Sequence, residues 1–247
     1  MNAMKRMFAL LLALMLLLSV QLPVLAAQPF SDVAADSWYR AAVEFVYDNK
    51  LMSGTSTTTF GPDANMTRAM LVTVLYSMEG KPAVSGKLPF TDVADGDWFR
   101  APVAWAYSNG IVSGTSATTF APNANITREQ MVAIFSKYAN SKRMETPAAA
   151  SIDSYADANT VSAYARNALS WAVGNGIISG TSAATLSPAG SATRAQCAVI
   201  LMRFVEWTEK ADGTPTPTPT PTPVPTPAPT PTPTPSYKPG NNQTPFG

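Results

Sequence analysis

A run of residues in the middle of the chain has apolar side chains at the spacing of one helix face, i, i+3, i+4 and i+7. These apolar positions are Met131, Ile134, Phe135 and Tyr138. Thr127 stands before the run and Gln130 follows it by three residues, which is the spacing of a capping box. The pattern therefore predicts an amphipathic helix that begins directly after Thr127.

The same arrangement occurs three times, which indicates an internal repeat. The first and second copies are offset by 60 positions without a gap, and the third is offset from the second by 65 and then 66 positions. Each copy predicts a helix, a Ser/Thr-rich loop punctuated by Gly and Pro, and a second helix. In the second copy, the first helix is predicted from about Trp98 to Asn109, with Gly110 as a left-handed terminal residue. Met70 replaces the capping Gln in the first copy, so a weaker start is predicted for that helix.

An Arg follows the capping Thr in every copy, as Thr67-Arg68, Thr127-Arg128 and Thr193-Arg194. A cation at the positive end of a helix dipole is disfavoured by about 0.3–1 kcal/mol, so its repetition requires an explanation. A helix N-terminus offers unpaired amides, and an Arg beside it offers a planar fork for a carboxylate. The pattern predicts an anion site at each of these helix starts. The alternatives are an exposed Arg and an ion pair with Asp32, Asp92 or Asp157.

Composition restricts the chemistry. The 247 residues include no His and one Cys, and the formal net charge is +1. Catalysis by a Ser-His-Asp triad, His-ligated metal sites and an internal disulfide framework are therefore excluded, and no nucleic-acid or anionic-membrane partner is expected from bulk charge. Cys197 aligns with apolar helix positions in the other copies and is predicted to be a buried core residue.

The two ends of the chain differ from the repeats. Residues 1–27 have a basic start, a short apolar run and small residues before the first copy, which predicts a secretory signal peptide. The apolar run is too short to span a membrane, so no membrane span is expected after signal cleavage. Residues 213–247 begin with Thr-Pro alternation and predict a disordered tail with polyproline II character. Such a tail is a candidate for contact with a surface-protein partner.

Several short motifs recur in the copies: Phe-Ser/Thr-Asp-Val, an early Trp, Ser-Gly-Thr-Ser, Phe-x-Pro-Asp/Asn, and Thr-Arg before an apolar helix. Together they resemble the S-layer homology repeat of bacterial surface proteins, with repeats at residues 28–82, 89–142 and 152–208. The resemblance implies an all-α fold, in which three helix-loop-helix repeats form a pseudo-threefold trimer around a central three-helix bundle. The third copy departs from the family pattern at Tyr155, Tyr164 and Ala192.

The resemblance also implies a function. Proteins of this family are secreted to the cell surface of Gram-positive-type bacteria, where grooves between repeats bind a pyruvylated secondary cell-wall polysaccharide linked to peptidoglycan. The candidate ligand-binding residues are Arg68, Arg128, Arg194, Gly54, Gly114, Gly180, Thr67, Thr127, Thr193, Trp38, Trp98, Tyr164, Asp32, Asp92 and Asp157. Replacing Arg128 with Ala is expected to weaken wall binding while the helices are retained.

Some of these residues have a second interpretation. The three Gly residues either let a sugar approach the backbone or only form turns. Trp38 and Trp98 either support a sugar or, as the favoured interpretation, belong to the core. Asp92, Asp95 and Asp97 lack the spacing of a calcium loop, so turn and helix-entry roles are expected, and no metal or cofactor is predicted.

Wall anchoring without catalysis is the prediction, because nearly all of the predicted folded sequence belongs to repeats. A wall glycosidase requires two carboxylates in one active site, and the repeats leave no unique acidic pair. A structural surface-layer or adaptor protein, which presents a partner through the Thr-Pro tail, is the alternative. Deleting residues 213–247 distinguishes the two, since only partner recruitment depends on the tail.

Overall fold

The computed structural model describes residues 29–211 of the chain. The predicted signal peptide and the predicted tail from residue 213 lie outside the described residues. The α-helices are α1 (Arg40–Asp48), α2 (Arg68–Met78), α3 (Arg100–Ser108), α4 (Arg128–Ser141), α5 (Arg166–Gly174) and α6 (Arg194–Ala211). Residues 29–211 contain isolated β-bridges but no β-strand, so the predicted all-α class is confirmed. Within the same residues, no helix has the length and apolar character needed to cross a membrane.

Each repeat contributes a pair of helices, and the main helix contacts join neighbouring repeats. α2 of the first repeat packs against α3 of the second, and α4 of the second packs against α5 of the third. α6 of the third repeat then packs against α1 of the first, so the order of contacts is cyclic. In the core, the Phe135 ring of α4 stacks on the Phe204 ring of α6, with the ring centroids 4.4 Å apart.

Backbone hydrogen bonds close the same cycle just before the second helices. The Ile126 amide donates to the Met66 carbonyl (2.8 Å), the Met66 amide to the Ala192 carbonyl (3.0 Å), and the Ala192 amide to the Ile126 carbonyl (3.0 Å). All three residues are buried. These contacts support the pseudo-threefold arrangement implied by the family resemblance, and the central three-helix bundle stays a prediction.

The second helices begin at the predicted capping residues. The Thr127 hydroxyl accepts from the Gln130 amide at 3.2 Å, and the Gln130 side chain accepts from the Thr127 amide at 3.4 Å. The third repeat has the same reciprocal pair between Thr193 and Gln196. In the first repeat, Thr67 accepts from the Met70 amide at 3.3 Å, and Met70 has no group that can accept in return. The cap locations are confirmed, while the weaker start of α2 stays a prediction.

The first helix of the second repeat begins two residues later, about half a helical turn, than its sequence pattern predicts. α3 begins at Arg100 rather than near Trp98, because Asp97 accepts a hydrogen bond from the Arg100 amide in a preceding turn (2.9 Å). Trp38 and Trp98 lie in these turns and are 67% and 60% exposed, so the core interpretation of both residues is wrong. The residue after each of them, Tyr39 or Phe99, points inward instead and contacts the Trp ring edge-on.

The first helices end in the same motif in all three repeats. The Gly110 amide donates to the Tyr107 carbonyl and the Ile111 amide to the Ala106 carbonyl, and Gly110 has φ +69°. This is a Schellman ending, and it confirms Gly110 as the predicted left-handed terminal residue. Lys50 occupies the position of Gly110 in the first repeat, with φ +57°.

Replacing Lys50 with Gly is expected to raise the free energy of unfolding by about 1 kcal/mol, because a side chain in the left-handed region costs about 1–2 kcal/mol. The exchange in the other direction, Gly110→Ala, should destabilise the protein by a similar amount. Urea unfolding of both variants measures the two effects. A loss of stability in Lys50→Gly would mean that the lysine stem contributes more than the backbone strain costs.

Candidate functional site

The loop between the two helices of each repeat is held by an Asp from the start of that repeat. In the second repeat, the Asp92 carboxylate accepts from the amides of Phe120 (2.9 Å) and Ala121 (2.7 Å), one on each oxygen. Asp32 and Asp157 make the same pair of bonds to residues 60–61 and 186–187. The expected turn role is confirmed for Asp92 and is shared by Asp32 and Asp157, and a direct role in ligand binding stays a prediction.

The hydrogen bonds stabilise the ionised form of two of these carboxylates. The amides of Leu186 and Ser187 lower the pKa of Asp157 despite some opposing desolvation. For Asp32, burial opposes ionisation, but the amides of Phe60 and Gly61 outweigh it and the pKa is lowered. The ionised form of both carboxylates therefore contributes to the stability of the folded protein.

A pH prediction follows from the lowered pKa of Asp157. The contribution of this carboxylate to stability is present above the unfolded pKa of about 4 and is lost as the pH falls through the lower folded pKa. We expect Asp157→Asn to reduce stability at pH 7 and to show a flatter dependence of the urea midpoint between pH 5 and pH 2 than the wild type. Asp36→Asn, at an exposed position, is the control and should keep the wild-type profile.

The Gly of each Ser-Gly-Thr-Ser loop is needed for packing within the loop. A Cβ at Gly114 would lie 2.3 Å from the Ser116 carbonyl oxygen, 2.5 Å from the Thr119 carbonyl oxygen and 2.6 Å from the Phe90 ring. Gly54 and Gly180 have the same surroundings. Close packing of the loop therefore accounts for all three residues, and close approach of a sugar to their backbone stays a prediction.

The Arg at the start of each second helix reaches into the loop of the next repeat. Arg128 Nε donates to the Leu186 carbonyl (2.9 Å) and Arg128 Nη2 to the Ser179 carbonyl (2.6 Å). Arg194 makes the same bonds to Phe60 (2.9 Å) and Ser53 (2.6 Å), which closes the cycle from the third repeat to the first. The two alternative interpretations of these Arg residues, an exposed side chain and an ion pair with a repeated Asp, are therefore wrong. The guanidinium groups are not exposed, and among residues 29–211 none forms an ion pair with the repeated Asp residues.

Arg68 makes the corresponding contacts, but one of them is longer. Its Nε donates to the Phe120 carbonyl at 3.0 Å, and its Nη2 lies 3.4 Å from the Ser113 carbonyl oxygen. The guanidinium also lies over the Phe120 ring, 4.7 Å from the centroid. Burial lowers the pKa of Arg68, as it does for Arg128 and Arg194. Two of the five N–H groups of each guanidinium are used for these carbonyls, and the other three make no further hydrogen bond within residues 29–211.

The backbone amides at these helix starts are not available for an anion. The amides of Arg68 and Ala69 donate to Ala124 and Pro122, both at 3.0 Å, and the third amide is taken by the capping Thr67. The amides that follow Thr127 and Thr193 are paired in the same way. The predicted anion site at the helix N-terminus is therefore wrong in this respect, because the neighbouring repeat already satisfies the amides. Only the Arg side chain can contribute.

A cavity of about 480 Å³ lies beside Arg68, between the first and second repeats, and Tyr164 of the third repeat completes its lining. It is lined by Arg68, Ile111, Val112, Ser113, Gly114, Thr115, Gln130, Ala133, Ile134, Lys137 and Tyr164. The structure thus brings together Arg68, Gly114 and Tyr164 from the predicted set. The sequence analysis did not include Lys137 among the site residues. Lys137 follows Gln130 by seven residues, about two helical turns, and this spacing on one helix face could have indicated it.

Tyr164 is held at the cavity by a buried carboxylate. Its hydroxyl lies 3.3 Å from Glu129 Oε1, and the same carboxylate accepts from the Ser162 hydroxyl (2.7 Å) and the Ser162 amide (3.0 Å). Burial and the nearby Glu129 raise the pKa of Tyr164, so its hydroxyl stays protonated near neutral pH. Tyr164 is nevertheless 60% exposed and presents its ring to solvent. Glu129 is a further residue that the sequence analysis missed.

The remaining candidates lie elsewhere or have structural roles. Trp38 and Trp98 occupy the exposed positions that correspond to Tyr164 in the other repeats. Cys197 is buried as predicted, and burial raises the pKa of its thiol to about 12. In the part of the chain that the structure describes, no group of acidic and Cys side chains is arranged to hold a metal ion.

Comparison with known proteins agrees with this arrangement of repeats. The sequence model of the S-layer homology domain matches residues 29–69, 89–132 and 154–198. The chain belongs to the S-layer homology family. Each matched segment ends near the start of the second helix of its repeat, so the Thr-Arg pair and the loop both lie within the S-layer homology sequence.

Individual relatives are much longer than this chain. An endoglucanase of Bacillus sp. (strain KSM-635) is 32% identical over 206 residues, which cover 80% of this chain and 22% of that protein. The surface-layer 125 kDa protein of Lysinibacillus sphaericus is 31% identical, over 87% of this chain and 18% of its own length. The S-layer protein of Bacillus thuringiensis subsp. finitimus is 26% identical, over 86% and 25%. The chain thus spans about a fifth to a quarter of each of these relatives.

The family assignment settles location and general role. This S-layer homology protein is a secreted cell-surface protein of a Gram-positive-type bacterium, and its repeats attach surface proteins to the cell wall.

Proposed function

We propose that this protein is held on the wall, without a covalent bond and without catalysis, by an acidic secondary cell-wall polysaccharide that binds in grooves between its repeats. A pyruvate ketal on the polysaccharide supplies the carboxylate. The observation that carries the proposal is the cavity between the first and second repeats, which has Arg68 in its wall and no acidic side chain in its lining.

The electrostatics favour an acidic ligand. Arg68 is 6% exposed and has carbonyl oxygens, rather than a carboxylate, as its hydrogen-bond partners. A buried cation that forms no ion pair is unfavourable, even with the longer-range attraction of Asp92, and an incoming carboxylate would relieve that cost through charge-assisted hydrogen bonds. The N–H groups not used for the carbonyls provide the donors for this contact.

The remaining walls suit a sugar. Ile111, Val112 and the exposed Tyr164 ring supply apolar surface, while Ser113 and Gln130 supply polar groups. Pyranose rings present both apolar faces and hydroxyl groups, so this mixture fits a saccharide better than a purely apolar ligand. The corresponding exposed rings of Trp38 and Trp98 favour similar contacts at the other two repeat boundaries.

We also propose that this chain does not cleave the polysaccharide that it binds. Some relatives bear the names of glycoside-degrading enzymes, but this chain matches a small part of their length. A glycosidase uses a pair of carboxylates about 5–10 Å apart at the bond that is cut. The cavity lining contains no carboxylate, and Glu129, which contacts the lining residue Tyr164, is already hydrogen-bonded to Ser162 and Tyr164.

Co-sedimentation with isolated wall sacculi tests the proposal. Three preparations are compared: intact walls, walls treated with mild acid to remove ketal groups, and walls stripped of all non-peptidoglycan polymer. We expect the protein to pellet with the first and to remain in the supernatant with the other two, with no release of reducing sugar. Equal pelleting with all three preparations would instead indicate binding to peptidoglycan itself.

A further inference from the structure

The cavity between the first and second repeats contains a second cation. Gln130, Ala133, Ile134 and Lys137 follow the i, i+3, i+4, i+7 spacing along α4 and form one wall of the cavity. Lys137 lies at the end of this stripe and is exposed. Arg68 lies in the wall contributed by the preceding repeat, so the two charged side chains that line the cavity have the same sign.

Neither cation forms an ion pair with the part of the protein that the structure describes, although Asp92 attracts Arg68 from beyond ion-pair distance. Within residues 29–211, neither Lys137 nor Arg68 has an acidic side chain within 4.0 Å. Like charges in one cavity repel each other, and that repulsion is stronger beside a low-dielectric wall than in bulk water. An occupant with two negative groups removes the repulsion and gains an attraction at each cation.

The other repeats do not reproduce this pair. Ser77 takes the position of Lys137 in the first repeat, and its hydroxyl donates to the Thr73 carbonyl of its own helix at 2.9 Å. Arg203 takes that position in the third repeat, where it lines a different cavity together with Glu206 and Lys210. Lys137 is therefore a feature of the groove between the first and second repeats.

We infer that this groove binds a stretch of acidic polysaccharide with two anionic groups, one at Arg68 and the second, on an adjoining sugar, at Lys137. The inference rests on the proposed function, since it assigns the first anion to the carboxylate already placed at Arg68. Arg68 is buried and supplies directional hydrogen bonds, whereas Lys137 is exposed and supplies a salt-sensitive attraction. Lys137 thus makes the groove prefer a polymer that carries an anionic group on the sugar next to the ketal-bearing one.

The test uses the full chain after export and two defined probes. The first is a disaccharide methyl glycoside with a pyruvate ketal on one sugar, and the second is the same disaccharide with an added phosphate monoester on the other sugar. Binding is followed by NMR at the Gly114 amide, which lies in this groove and reports its occupancy separately from the other repeats. The test variant is Lys137→Met. The control is Arg203→Met, which removes one charge at the corresponding position of the third repeat.

We expect the wild type to bind the phosphorylated probe about threefold to fivefold more tightly than the ketal probe at low salt, the range for an exposed ion pair. Lys137→Met should abolish that difference, while Lys137→Arg and Arg203→Met should keep it. Equal affinities of the wild type for the two probes would overturn the inference, and so would an unchanged preference in Lys137→Met. If the wild type binds neither probe at Gly114, the proposed function itself fails.

Discussion

Replacing Arg128 with Ala is expected to lower the free energy of unfolding by about 3 kcal/mol, because the change leaves two carbonyl groups without their donor. The carbonyls belong to Leu186 and Ser179 in the next repeat, and the Arg128 side chain is almost completely buried between them. Arg128→Lys should recover only part of the loss, since a single ammonium group lacks the planar fork that reaches both oxygens. Urea unfolding followed by circular dichroism measures the effect.

Arg100→Ala is the matched control for this prediction. Arg100 also recurs in every repeat, but its ion-pair partner Asp95 has a fully solvated side chain (99% exposed). Loss of such an exposed pair costs at most about 1 kcal/mol. If the two variants are equally stable, the buried hydrogen bonds of Arg128 contribute no more than a surface contact.

Wall binding by Arg128→Ala has to be compared under conditions in which the variant remains folded, because weaker binding by a partly unfolded sample would say nothing about the groove.

Replacing Gly114 with Ala is expected to lower the free energy of unfolding by about 2–3 kcal/mol, the upper range for overpacking a tight site. The added methyl group would overlap the carbonyl oxygens of Ser116 and Thr119, and backbone atoms cannot move aside as a flexible side chain does. The midpoint of thermal unfolding should fall by about 4–10 °C. Affinity for intact walls should fall as well, because Gly114 lines the cavity beside Arg68.

Gly96→Ala provides the comparison. A Cβ at Gly96 has no neighbour within 4 Å, so the substitution introduces no overlap. We expect its unfolding midpoint to remain unchanged or to rise slightly, since Ala restricts the unfolded chain. A similar loss in both variants would show that backbone freedom, rather than the close packing of the loop, explains the Gly at position 114.

The buried Arg residues change how the anchoring site is understood. The sequence suggests that each Arg is free to meet an anion, whereas the structure uses the same side chain to connect consecutive repeats. Structural and binding roles are compatible, because a guanidinium with two bonds to the protein is already oriented and retains further donors. Among the three Arg residues, the contact from Arg68 to the Ser113 carbonyl is the longest of those made by Nη2, at 3.4 Å against 2.6 Å for Arg128 and Arg194.

Local features were predictable from the sequence because they depend on residues within one turn of each other. The capping Thr and Gln residues, the Gly110 helix ending and the burial of Cys197 are of this kind, and the structure confirms them. The all-α class and the family followed from the same motifs repeated three times. The exposure of Trp98 was not predictable in this way, since it depends on a turn that delays the start of α3 by about half a helical turn.

The sequence by itself determined three repeats, their helices and the S-layer homology family. Only the tertiary structure decided what each repeated residue contacts. Arg128 finds its carbonyl partners 51 and 58 residues away, and the amides at each second-helix start find theirs in the next repeat. Helix periodicity and capping patterns describe neighbours along the chain, whereas these contacts arise when three repeats close into a cycle. For the same reason Lys137 became a candidate only when the fold placed it in one cavity with Arg68.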